Sequence, residues 1–182
     1  MIQNQSMRHI KRDGDLDFYI FTPRIGRFYY QDGKNEEWPV HQTARSHKLH
    51  LLFYMLHGGY RILYLVKNDE VVSYIVYTRC GRNVIRGTTH KDLYTVFIWT
   101  YPKFRKQGYS SILLQQFLHG IGLKDHAAYK TIVGSNVASI RSAEANGYQK
   151  LYPVKRTKIL HAAYRADSED YYLFAYHCEE KP

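Results

Sequence analysis

Residues 93–121 limit the fold more than any other stretch. "LYTVFIWT" (93–100) is rich in β-branched and aromatic side chains and predicts a strand. "YPKFRKQG" follows, a turn with three basic residues and a glycine. Leu113, Leu114, Phe117, Leu118 and Ile121 then recur at three- and four-residue spacing, which predicts a helix over 110–121. A chain that passes from strand to helix through such a turn builds layers of sheet and helix. The first amides of a helix have no partner inside it, and they sit at the positive end of its dipole. Arg105 and Lys106 add full charge, and Gly108 lets the backbone approach a ligand. The turn is thus a candidate anion site, with an ordinary strand-to-helix connection as the alternative.

The rest of the chain fits the same architecture. "LDFYIF" (16–21) reads as a strand, and 24–39 as a turn-prone region. Leu49, Leu52, Phe53 and Leu56 lie at i, i+3, i+4 and i+7, a helix that Gly58–Gly59 ends. "RILYLV" and "VVSYIVYT" flank "KNDE" as a hairpin, and 79–92 is a polar loop. "YKTIVG" (129–134) is a further strand. Residues 135–148 form a short helix, with Asn or Ser to cap its start and Asn146–Gly147 to stop it. "QKLYPVKRTKI" is extended, with Pro153 at an edge or bulge, and "DYYLFAYHC" (170–178) closes the sheet. The expectation is a single domain over 1–182, a mixed α/β sheet of about seven strands.

The chain has 182 residues and a formal net charge of +10. Residues 61–120 carry nine Lys/Arg against three Asp/Glu, so the excess gathers around the candidate anion site. A polyanionic ligand accounts for this, as does a basic soluble surface. Cys80 and Cys178 are too few and too far apart for a disulfide framework or a cysteine zinc site. His47, His50 and His57 lack a carboxylate partner at metal-ligand spacing, so no metal is expected. No apolar run approaches the roughly 20 residues of a membrane span, and the first residues lack a secretory core; a cytoplasmic protein is expected. The aromatics of "RFYYQDG" (27–33) suit core packing or stacking on a sugar or base, and composition does not say whether the 18 tyrosines pack strands or line a cleft.

Taken together, these residues resemble the GNAT superfamily of acyl-CoA-dependent N-acetyltransferases. The family's pyrophosphate loop, Arg/Gln-x-x-Gly-x-Gly/Ala, is matched by Arg105, Gly108 and Ser110 after Pro102. Its second segment, Asn-x-x-Ala/Ser before a helix ending Gly-Phe, is matched by Asn136, Ser139 and Gly147–Tyr148. The resemblance implies a mostly antiparallel sheet flanked by helices and splayed between its fourth and fifth strands, 93–100 and 129–134. It implies acetyl-CoA as acyl donor. The pantetheine arm would pair with the backbone near Ile98, Trp99 and Thr100. The amides of Lys106, Gln107, Gly108, Tyr109 and Ser110 would cradle the pyrophosphate, and Asn136 and Ser139 would also contact the cofactor.

Two positions depart from the family pattern. Ser110 stands where Gly or Ala is usual. Many members carry a Tyr acid four residues before the terminal Gly; here that position is Ala143, which has no proton to give. Branches that acetylate ribosomal-protein N-termini often lack this Tyr too. Ser142, Ser139 or water is left to serve as acid. The family's Glu base corresponds to a position near Tyr94, which could hold a relaying water; His90 and Asp92 lie just upstream. The expected function is acetyl transfer from acetyl-CoA to a primary amine of a small molecule, an amino sugar or a protein. The rivals are a non-catalytic acyl-CoA binder, which Ala143 favours, and a nucleic-acid-binding module, which charge alone supports. The late strands offer a surface for a homodimer, though nothing in the sequence requires one.

Overall fold

The computed structural model describes residues 6–30, 45–81, 84–121, 126–157, 163–167 and 170–177. They form a nine-stranded, mostly antiparallel sheet flanked by helices. The strands are β1 (Met7–Asp13), β2 (Leu16–Phe21), β3 (Tyr60–Lys67), β4 (Glu70–Arg79), β5 (Leu93–Thr100), β6 (Ala127–Val133), β7 (Gln149–Arg156), β8 (Ala163–Arg165) and β9 (Tyr171–His177). The helices are α1 (Arg45–Leu56), α2 (Tyr109–Gly120) and α3 (Val137–Ala145), with a single 3₁₀ turn at Pro102–Phe104. The strand order is β1-β2-β3-β4-β5-β6-β9-β7-β8. The chain divides into two compact units, one of residues 1–77 and 98–113, the other of 78–97 and 114–182.

In the first unit, β3 and β4 are joined by Asn68 and Asp69 alone. Both have positive φ, 50° and 60°, as a two-residue hairpin turn of the primed type requires. β3 and β4 are almost wholly buried, which explains their near-continuous apolar sequence. Tyr64 and Tyr74 are fully buried with rings 5.4 Å apart, and Tyr29 and Tyr101 pack on Tyr74 at 6.0 and 6.2 Å. Part of the tyrosine excess is therefore core. Tyr29 also meets the His47 ring nitrogen at 2.6 Å, and His50 and His57 stack on Tyr54 and Phe53.

The strand count needs correction. The sheet has nine strands, not about seven. β1 was missed because MRHIKRD has no apolar alternation; charge of this kind keeps an edge strand from pairing with other chains. β8 is only three residues long and is held by pairing with Val154–Arg156. In α1 the helix is where the spacing put it, and the apolar residues that mark it in the sequence are not its inner face. Leu49 and Leu56 are 59% and 72% exposed, while Leu51 and Tyr54 are buried. The stripe through His47, Leu51 and Tyr54 depends on His and Tyr, which a count of aliphatic residues passes over.

In the second unit, β6 pairs with β9 along its whole length. Its pairing with β5 is parallel and brief: Leu93, Tyr94 and Thr95 oppose Ala128, Tyr129 and Lys130. β6 ends before α3, where Asn136 Oδ1 accepts from the Ser139 amide at 3.1 Å as the N-cap. Gly147, at φ +84°, follows the helix, as the Asn146–Gly147 stop predicted.

Candidate active site

The turn into α2 is held from several directions. The Phe104 amide donates to the Tyr101 carbonyl (2.9 Å) and the Arg105 amide to the Pro102 carbonyl (3.2 Å). Lys103 forms an ion pair with Glu70. Arg105 Nε donates to the Thr100 carbonyl at 3.2 Å, and its guanidinium lies 4.9 Å over the Trp99 ring. Lys67 Nζ bridges the Tyr109 hydroxyl and the Asp15 carboxylate, at 3.0 Å each; these two bonds raise the Lys67 pKa and keep the ammonium charged. Next come five amides at the helix start with no partner among the described residues. Among the described residues, the amides of Lys106, Gln107, Gly108, Tyr109 and Ser110 meet no acceptor, and pairing resumes with Ser111 and Ile112 donating to the Gly108 carbonyl. Lys106 has φ +61° and Gly108 φ +80°. Left-handed residues turn successive N–H groups towards a common anion. At Lys106 this conformation costs about 1–2 kcal/mol, which the surrounding bonds sustain.

β5 supplies the approach to this turn. Ser73 Oγ donates to the Trp99 carbonyl at 2.8 Å and lies 2.9 Å from Thr100 Oγ1, and the Tyr101 amide donates to the Val72 carbonyl. The β5–β6 register ends at Thr95–Lys130. From Val96 to Thr100 every residue is only half-buried, although β5 lies in the interior of the strand order.

In the second unit, Tyr94 is buried. Its hydroxyl accepts from an Arg156 terminal nitrogen at 2.8 Å and lies 2.8 Å from Thr131 Oγ1. Arg156 also contacts Thr131 directly and stacks 4.8 Å from the Tyr171 ring. Ser142 is half-buried and its carbonyl accepts from Asn146 Nδ2 at 2.7 Å; Ala143 is fully buried. Asp92 works as a staple. Its carboxylate accepts from the amide and hydroxyl of Thr89 (2.9 and 3.0 Å) and from the Ala127 amide (3.1 Å). Burial works to raise its pKa, but these hydrogen bonds outweigh it and hold the carboxyl below its usual range, which suits a structural anion better than a base. Asp92→Ala leaves three donors unmet and should lower stability by about 1–3 kcal/mol, read as a shift in the urea midpoint. The stabilisation is present above the unfolded carboxyl pKa and is lost as pH falls through the lower folded value, so parent and variant should converge in strong acid.

The sequence matches the acetyltransferase (GNAT) family over residues 28–148, two thirds of the chain. The protein is a member of the GNAT family. A comparison with curated proteins gives no match. Among solved structures, the GNAT fold is shared with the ribosomal L7/L12 α-N-protein acetyltransferase RimL in complex with coenzyme A, at 14% identity, TM-score 0.61, and 96% and 100% of the two chains covered. It is also shared with the Escherichia coli ribosomal-protein-S18-alanine N-acetyltransferase (14%, 0.54, 91% and 99%). A third likeness is an Elizabethkingia anophelis GNAT acetyltransferase with acetyl-CoA bound (12%, 0.57, 91% and 100%). At these identities the likeness is one of fold.

The GNAT pattern did not point to one cluster in the second unit. Thr95 and Lys130 are opposite each other on parallel strands, so their side chains share a face. Lys130 Nζ lies 4.0 Å from the centre of the Tyr148 ring, and the hydroxyls of Thr95 and Tyr148 are neighbours that do not complete a hydrogen bond with any group. All three residues are buried. Burial brings the Lys130 pKa down to about 8. A lysine in phase with Ala128 and Ile132 on a strand was the sequence signal for this cluster.

Proposed function

We propose that this GNAT protein, as one domain over residues 1–182, transfers an acetyl group from acetyl-CoA to a primary amine. The observation that carries the reading is the row of five unpaired amides, Lys106 to Ser110, at the start of α2. A diphosphate satisfies such donors, with the helix dipole and the charges of Arg105 and Lys106 in support. The half-buried end of β5 supports the rest: the backbone of Ile98, Trp99 and Thr100 would lie beside the pantetheine arm. Asn136 would contribute its amide nitrogen, since its oxygen caps α3, and Ser139 its hydroxyl.

Acetyl-CoA supplies an activated acyl carbon; the chain must present it, polarise its carbonyl and manage two protons. A β5 amide would donate to the carbonyl oxygen as charge builds there. The attacking amine must be neutral, whereas a lysine-like amine has a pKa near ~10.4. Tyr94, whose hydroxyl accepts from Arg156, would hold the water that takes the amine's proton. Ala143 has no proton to give, which leaves Ser142, Ser139 or water from the sequence pattern to return a proton to sulfur.

Calorimetry with acetyl-CoA tests the first step, and thiol release on an amine panel tests the second. Peptide α-amines head that panel, because two of the similar structures are named for ribosomal-protein amino-terminal acetylation. Binding with thiol release supports the reading. Binding without turnover on any amine leaves the acyl-CoA binder. Indifference to acetyl-CoA with steeply salt-dependent affinity for nucleic acid would favour the basic module instead. Light scattering and fractionation test the homodimer and the cytoplasmic location.

A further inference from the structure

The Thr95–Lys130–Tyr148 cluster is a group of polar side chains in a position where a folded chain seldom leaves them unserved. Lys130 has three N–H donors and, among the described residues, no ion-pair or hydrogen-bond partner; its ammonium lies over the Tyr148 ring. The Thr95 and Tyr148 hydroxyls are each less than a tenth exposed and do not meet hydrogen-bond geometry with any group. Buried polar groups of this kind cost stability and persist where they have work to do. Their place in the fold indicates the work. Thr95–Lys130 is the last pair of the β5–β6 register, after which β5 runs on half-buried. The Tyr148 amide donates to the carbonyl of Ala143, the position at which the family's usual acid is missing.

We propose that Lys130 is the general acid of the reaction, donating a proton to the coenzyme A sulfur as the carbon–sulfur bond breaks. The inference rests on the acetyl-CoA reading. The amine nitrogen forms its bond to the acyl carbon and gives up one proton; the sulfur leaves with the electron pair of the broken bond and takes one proton from the Lys130 ammonium. Neutral Lys130 recovers a proton through water from the product side, so the balance closes without a further reactant. A hydroxyl such as Ser142 is a far weaker acid. An ammonium with a pKa near 8 is well matched to a thiol, whose ordinary pKa is about 8.5. The groups facing Lys130 are Thr95 on β5, Phe174 opposite it on β9, Tyr148 after α3, and Tyr176, whose ring packs on Tyr148. None of these is a carboxylate, and desolvation is the cause of the shift.

The test follows Lys130 itself by NMR of protein carrying ¹³C-lysine, with its signal identified by its loss in Lys130→Met, or in Lys130→Gln if that variant folds better. It is titrated free, with coenzyme A, and with desulfo-coenzyme A, which lacks the thiol. Coenzyme A should raise the Lys130 midpoint by about one unit or more as a thiolate forms beside it, and the desulfo compound should not. With an amine that turns over, Lys130→Met should lower kcat about 100-fold and remove the fall in rate above pH 8. Equal midpoints with the two nucleotides, both bound, would overturn the proposal and leave the acetyl-CoA reading intact. Failure of both to bind would remove that reading and the proposal with it.

Discussion

Gly108→Trp should bind acetyl-CoA at least about 100-fold more weakly than the parent, a loss of about 2.7 kcal/mol by calorimetry, while its circular dichroism stays native. The expectation depends on where the new side chain goes. Nothing lies within 4 Å of the point where a Cβ would stand on Gly108, so an indole there enters open space and leaves the core alone. The fold bears only the strain of a non-glycine residue at φ +80°, about 1–2 kcal/mol. The ring then occupies the space over the unpaired amides. Gly108→Ala carries the same strain with little bulk and should lose much less affinity. A folded Trp variant with parental affinity would show that the diphosphate binds elsewhere.

The second large effect is a gain. Lys130→Met should raise stability at pH 7 by about 3 kcal/mol, an upper bound from a pKa lowered from 10.5 to about 8. Below pH 8 the lysine is charged in both folded and unfolded states, and the folded state bears the full cost of burying that charge. Between pH 8 and 10.5 the unfolded chain binds more protons than the folded one, so parental stability rises with pH. The advantage of methionine, read from urea midpoints, should therefore be largest at neutral pH and fade by about pH 10.5. A constant difference across that range would mean that Lys130 is not desolvated. A stabilised but slower variant would show a site that trades stability for chemistry.

The sequence made the basic turn legible because its signals are local. A strand, a glycine at positive φ and an amphipathic helix are each written in a few consecutive residues, and the Asn68–Asp69 turn and the Asn136 cap were readable for the same reason. The missed features are non-local. The inner face of α1 depends on what packs beneath Leu51 and Tyr54. Asp92 looked like a titrating loop residue until Thr89 and Ala127 supplied its three donors. Lys130 is an ordinary letter in "AAYKTIV", and its environment is assembled by Thr95 and Tyr148, 35 residues before it and 18 after.

The row of open amides from Lys106 to Ser110 has a practical consequence. Such donors accept any small oxyanion in solution, so sulfate or inorganic phosphate carried over from purification competes for the same bed. A competitor at ten times its own dissociation constant weakens the apparent affinity for the nucleotide about eleven-fold by mass action. Affinities measured in phosphate buffer and in an organic amine buffer should therefore differ, and the size of that difference measures how much of the grip falls on the diphosphate rather than on the rest of the molecule.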